Sequence, residues 1–169
     1  MEEWLSRTEQ LLGKDTLSAL QNSHVLIVGV GGVGAYAAEM ICRAGVQEIT
    51  IIDRDNVNPT NINRQLIAMH STVGKPKTQI LAQRLLDINP RLNIHIKQLY
   101  MDEVQTEILL DEAEYDYVID AIDTISPKIA LLTGCLKRKI KVISSMGAGG
   151  RIDPTRIAYA DISETYHCA

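Results

Sequence analysis

Phenylalanine is absent from this 169-residue chain, and tyrosine and tryptophan together leave it only 4% aromatic. A core without phenyl rings has to be built from Ile, Leu, Val and Ala, which suits strands buried on both faces, as in a parallel sheet. Cysteine is also scarce. Cys42, Cys135 and Cys168 lie far apart and form no C-x-x-C pair, so neither a zinc ribbon nor a disulfide framework is indicated. A cytoplasmic protein with reduced thiols is the default expectation. No run of about 18 apolar residues is available to cross a bilayer, and no basic flank followed by an apolar stretch opens the chain. Positive charge is not in excess either. A net charge of −4 excludes a globally basic nucleic-acid surface. The cluster Lys137, Arg138, Lys139 and Lys141 reads as a solvated helix end more readily than as a phosphate patch.

What is present is ordinary globular composition, 46% hydrophobic and 22% charged, in a length suited to one domain with a real core. Residues 3–22 carry helical spacing interrupted at Gly13, which predicts two short helices forming an N-terminal arm over 1–22. From residue 23 onwards the pattern alternates. Strands are expected at 24–29, 48–53, 93–99 and 115–121, and again in "KVISSMGAGG". Helices are expected at 33–45 (closed by Gly45), 77–87, 103–112 and 127–139, with Pro127 in the first turn of the last. "RIDPTRIAYADI" reads as a late strand. The polar, Asn-rich stretch 54–76 favours turns over any long element. Strand and helix in alternation with short connections imply an α/β, Rossmann-like, doubly wound and mostly parallel sheet with helices on both faces. Ligands then bind at the carboxyl ends of its strands.

The first strand runs into Gly29, Gly31 and Gly34, spaced G-x-G-x-x-G, and the next strand ends at Asp53, an acid suitably placed for ribose hydroxyls. Glycines there allow a tight turn and close backbone approach to phosphate, and the helix start favours negative charge. NAD, FAD, S-adenosylmethionine and ATP all remain open on that motif alone. The following segment decides among them by supplying Arg54, Asn61, Arg64, Lys75 and Lys77, a concentration of cations that suits a triphosphate. Arg64 and Lys77 are the main candidates. Asp120 and Asp123 in "VIDAID" stand where a sheet-end ligand would lie and could hold Mg²⁺, the alternative being a cap on the helix that follows. No Ser, His and Asp constellation is evident, and His24, His70, His95 and His167 read as surface or strand-end residues.

The blocks "VLIVGVGGVG", "IIDRDNVNPTNINRQ", "VGKPK", "INP" and "VIDAIDT", in this order over 24–125, resemble the HesA/MoeB/ThiF superfamily of adenylyltransferases, whose members include the ubiquitin-activating enzymes. The resemblance implies an ATP-binding adenylation domain over 23–169. It implies nucleotide contacts from Gly29, Gly31, Gly32, Gly34, Asp53, Asp55, Asn61, Arg64, Lys77 and Asp123. It also assigns catalytic roles to Arg64, Lys77 and Asp123, with Asp123 as the Mg²⁺ ligand. Arg7 stands where an arm arginine of such dimers reaches the ATP of the partner, so a homodimer is expected.

Through "VIDAIDTISPK" and "MGAGGRIDPTRIAYADISET" the chain looks most like the tRNA threonylcarbamoyladenosine dehydratase branch, whose members run on well past the "DISET" block. That branch adenylates the carboxylate of the threonylcarbamoyl group on a tRNA adenosine, and ring closure then expels AMP. The partners implied are a tRNA carrying threonylcarbamoyladenosine and, as a further option, a sulfur acceptor associated with a cysteine desulfurase. Alternatives are an adenylyltransferase acting on the C-terminal glycine of a ubiquitin-like sulfur carrier and a noncatalytic nucleotide-binding subunit. An NAD-dependent dehydrogenase fits least, because the loop after Asp53 is loaded for phosphates. Cys168, offered as a thioester nucleophile, reads as incidental.

Overall fold

The computed structural model describes residues 3–147 and 149–165. Five strands form one sheet: β1 (His24–Val28), β2 (Glu48–Ile52), β3 (Asn93–Lys97), β4 (Tyr117–Asp120) and β5 (Lys141–Ser144), in the order β3-β2-β1-β4-β5, with every pair parallel. This is the Rossmann-like arrangement the alternating pattern predicts. The order reverses between β1 and β4, and a crevice opens at such a reversal beyond the carboxyl ends of the strands.

Side chains alternate across the strands. Val25, Ile27, Ile49 and Ile51 meet Ala35, Ala38 and Cys42 of α3 (Gly34–Ala44), together with Leu81, Ala82 and Leu85 of α4 (Lys77–Ile88). Leu26, Val28, Ile52 and Val118 point the other way, to Leu109 and Leu110 of α5 (Glu103–Glu112) and Leu131 and Cys135 of α6 (Ile125–Arg138). The aliphatic core inferred from the missing phenylalanine is therefore two aliphatic layers, one on each face.

Local chemistry sets the ends of the elements. Gly45, in the left-handed region, closes α3, and the Asp102 carboxylate caps α5 by accepting the Gln105 N–H. The segment 3–22 forms α1 (Ser6–Leu12) and α2 (Lys14–Gln21), preceded by a 3-10 turn at Glu3–Leu5. Leu5 and Leu17 are buried beside Gly45, which ties these helices to the carboxyl end of α3. No helix among the described residues is long and apolar enough to cross a membrane.

The late strand expected at 151–162 does not form. Among the described residues this stretch is exposed and holds only two 3-10 turns, Pro154–Arg156 and Ile162–Glu164. Asp153 accepts the Thr155 N–H and Asp161 the Ser163 N–H, so side chains satisfy backbone donors that a ladder would need. No neighbouring strand pairs with it among the described residues.

The two helices of one face are joined by a buried carboxylate. Glu39 of α3, with its side chain only 7% exposed, accepts from Arg84 of α4 and from Arg43 one turn along its own helix. Hydrogen bonding from Arg84, then from Arg43, outweighs burial and holds the Glu39 carboxyl below its ordinary value of 4.5. The contribution of this cluster is complete above that value and is lost as pH falls through the lowered one. Glu39→Gln is expected to cost about 2 kcal/mol at neutral pH, since the arginines are half exposed and the charge is not fully desolvated. The gap to the parent chain should narrow in acid, which urea melts at pH ~7 and pH ~3 would record.

Candidate nucleotide site

The crevice begins at Gly29, directly after β1, where φ is +88° and an added Cβ would lie 2.7 Å from the Ala121 carbonyl oxygen. Gly34 opens α3 and passes so near that a Cβ there would overlap the Gly29 carbonyl oxygen. Both positions require glycine simply for the chain to pack. Gly31 and Gly32 do not: a Cβ would meet Gln65 at 3.5 Å and Arg64 at 3.9 Å, ordinary van der Waals distances. Folding leaves them bare, and bare backbone at a helix start is what an anion needs.

Asp53, following β2, fastens this turn. Its Oδ2 accepts the Val30 N–H at 2.9 Å and its Oδ1 accepts the Asp55 N–H at 2.8 Å. The chain then runs beside a second segment: the Val57 N–H donates to the Lys75 carbonyl, the Gly74 N–H to that of Val57, and the Lys77 N–H to that of Asp55. These bonds place Lys77 in the first turn of α4. Its side chain is 7% exposed and its Nζ lies 3.1 Å from Asp55 Oδ2, while Arg54 Nε lies 3.3 Å from Asp55 Oδ1. Arg54 also stacks over the Tyr100 ring at 4.9 Å.

Between these segments Asn58 and Asn61 close a short 3-10 turn by capping each other, and the Asn61 carbonyl accepts the N–H groups of Arg64 and Gln65. Arg64 is thereby set beside Gly32, its guanidinium donating to the Thr60 carbonyl at 3.0 Å and the Asn63 amide oxygen at 3.1 Å. Val30 of the glycine turn, Asp53, Asp55 and Lys77 are thus linked by hydrogen bonds, and the turn that carries Asn61 and Arg64 lies beside them at Gly32.

Asp123 lies exposed in the loop after β4, where it accepts a 3.4 Å hydrogen bond from the Thr124 hydroxyl. It does not cap α6: the cap residue is Thr124, whose side chain makes no capping hydrogen bond to the helix. Asp120 departs from the expectation that it could hold Mg²⁺. It is fully buried, paired with Lys128, and accepts from the Ser144 hydroxyl and the Ile122 N–H, so its oxygens serve the fold. Arg7 does not join the crevice within this chain. It is exposed on α1, and the N-terminal helices pack at the carboxyl end of α3, roughly 16 Å of helix away from the glycine turn.

Two residues went unread in the sequence. Lys128 anchors α6 to the ends of β4 and β5 through Asp120, Ser144 and the Ser145 carbonyl. Gln65 is buried against Gly31 with its Oε1 unpartnered. Neither carries a motif of its own, although Gln65 directly follows Arg64. Burial pushes the Cys42 and Cys135 thiols up to about 11, which removes them as nucleophiles, and Cys168 and His167 lie outside the described residues. His24 opens β1 and is held neutral by burial, which lowers its pKa, while His70 is exposed in a 3-10 turn.

The ThiF family model matches residues 5–169. The chain belongs to the ThiF family. This ThiF-family chain is 49% identical over 161 residues to the tRNA threonylcarbamoyladenosine dehydratase of Bacillus subtilis, covering 95% of the chain and 63% of that protein. It is 35% identical to the Escherichia coli molybdopterin-synthase adenylyltransferase, covering 91% of the chain and 61% of that protein. The crystal structure of the E. coli tRNA N6-threonylcarbamoyladenosine dehydratase in complex with ATP superposes with a TM-score of 0.93 at 38% identity, covering 96% of the chain and 67% of that structure. The chain spans about three fifths of the length of the curated relatives it matches.

The two kinds of glycine separate experimentally. Gly34→Ala is expected to cost roughly 3 kcal/mol or more, because the overlap is with rigid backbone. Gly31→Ala should change stability by less than about 1 kcal/mol. Denaturant melts of both variants test the distinction.

Proposed function

We propose that this chain binds ATP with Mg²⁺ in the crevice between β1 and β4. The protein then adenylates the carboxylate of threonylcarbamoyladenosine in tRNA, which cyclises with net loss of water. The observation that carries the reading is the pair Gly31 and Gly32, bare without a packing reason and flanked by Arg64 and Gln65. The resemblance to an ATP-bound dehydratase supports the choice of nucleotide and substrate.

In the first step a substrate carboxylate oxygen attacks the α-phosphorus and pyrophosphate leaves, producing a mixed anhydride with AMP. In the second, the amide oxygen of the threonylcarbamoyl group attacks the activated carbonyl carbon, the ring closes and AMP departs. Negative charge builds on the phosphates during the first step. Arg64 and Lys77, held by hydrogen bonds before the reaction, meet it with little reorganisation. The Asp55 carboxylate holds the buried Lys77 ammonium in place at 3.1 Å, while Asp53 offers its remaining lone pairs to ribose. Mg²⁺ would supply further neutralisation of the phosphates, and Asp123 fits it, being an exposed oxygen ligand of the kind this ion prefers. No protein nucleophile is required, in keeping with the buried, protonated thiols of Cys42 and Cys135. Arg7, remote from its own crevice, would act on the nucleotide of a second copy in a homodimer.

Excess Mg·ATP at about 100 times its Kd should stabilise the chain by about 2.7 kcal/mol, a rise of several degrees in Tm, and NAD should not. No rise with Mg·ATP overturns the nucleotide assignment. Lys77→Ala or Arg64→Ala should remove about 2 to 3 kcal/mol of phosphate contact, seen as a loss in turnover greater than any loss in stability. Mass spectrometry of tRNA incubated with protein and ATP follows the loss of water. ATP consumed only with a ubiquitin-like carrier, and never with the modified tRNA, would favour the sulfur-carrier adenylyltransferase instead.

Asp123→Asn should raise the Mg²⁺ concentration needed for the ATP-dependent shift. An unchanged metal titration would remove Asp123 from that role.

A further inference from the structure

We propose that His24, Glu48 and His95 form a binding site for a divalent transition metal of the zinc type, in the amino-terminal half of the sheet and apart from the nucleotide crevice. The parallel register sets His24 against Glu48 and Thr50 against His95, and strand alternation turns all four side chains to the same face. One ligand atom from each of His24, Glu48 and His95 lies within 4.8 Å of the others. Around a tetrahedral zinc, ligand atoms stand roughly 3.3 Å apart at bond lengths near 2.0 Å, so side-chain rotation of about 1 Å completes the set.

The surroundings orient these ligands. His24 Nε2 lies 2.9 Å from the Thr50 hydroxyl, leaving Nδ1 toward Glu48 at 3.9 Å. A metal-binding imidazole is typically held this way, one nitrogen bonded to a neighbour and the other aimed at the ion. The His24 main chain is itself fixed, its N–H donating to the Asp116 carboxylate at 2.8 Å and its carbonyl accepting from the Asp116 N–H. Glu48 Oε1 lies 2.9 Å from His95 Nε2 and accepts from the Asn93 amide at 2.9 Å.

The nearby cation, Lys97, is neutralised by Glu112, so repulsion of a metal ion is reduced. The three ligands line a cavity of about 510 Å³ that also touches Tyr115, with room for water in a fourth position. His, His and carboxylate with an open position is a donor set that suits zinc over Mg²⁺, which prefers oxygen alone. Bound there, the ion would tie β1, β2 and β3 together at a place the nucleotide does not reach.

Equilibrium dialysis of the whole chain against Zn²⁺ in excess Mg²⁺ tests the site, with Co²⁺ as a spectroscopic substitute. The expected result is one zinc per chain and a Co²⁺ spectrum with ligand-field bands but no thiolate charge transfer. Zinc affinity should fall at least ~10-fold in both His95→Ala and Glu48→Gln. Both residues are partly exposed, so these variants should keep the cooperative melt of the parent. Absence of zinc binding, unaltered binding in either variant, or a thiolate band would overturn the proposal and leave His95 and Glu48 as an ion pair.

Discussion

The site depends on a contact that only glycine permits. Gly29 leaves β1 against the carbonyl of Ala121, which follows β4, and Gly34 then turns back against Gly29 to start α3. Three elements meet there with backbone on backbone. A side chain at either position would push α3 off the sheet, separating the aliphatic layer of α3 and α4 from Ile27, Ile49 and Ile51. The same contact lies at the reversal of strand order, so the packing that closes the fold also forms the floor of the crevice.

Around that floor, buried charge is managed in two ways. Asp120 is enclosed and saturated by Lys128, Ser144 and a backbone N–H, which makes it an anchor for α6. Asp53, Asp55 and Asp123 are bonded but retain exposure, and Lys77 is enclosed except for its contact with half-exposed Asp55. A buried ammonium with a carboxylate beside it is a paired charge, which is how a fold holds charge away from water. The difference between Asp120, the last residue of β4, and Asp123, three residues on in the loop, is therefore one of enclosure.

Much of this was legible in the chain. The aliphatic composition and the alternating periodicity predicted a parallel, doubly wound sheet, and α3, α4, α5 and α6 begin and end within two residues of their predicted bounds. The glycine spacing located the tight turn after β1, and Arg64 and Lys77, singled out after Asp53, fall beside Gly32 and Asp55. The expected strand at 151–162 failed for a local reason: Asp153 and Asp161 bond the backbone two residues on, a competition that β-rich composition does not reveal. Lys128 and Gln65 were missed because each acts across distance in sequence, with β5 and with Gly31.

Taken by itself, the sequence determined what depends on neighbouring residues: the periods of strand and helix, the glycine turn, the cap at Gly45, and the family blocks from 24 to 125. Tertiary structure alone decided which glycines are demanded by packing and which are left bare, which aspartate is enclosed and which is available, and that His24, Glu48 and His95 share one face. The physical reason is common to all three. Burial, pairing and steric overlap are relations between residues brought together from different strands and helices, and their strength is set by distances that no single stretch of sequence contains.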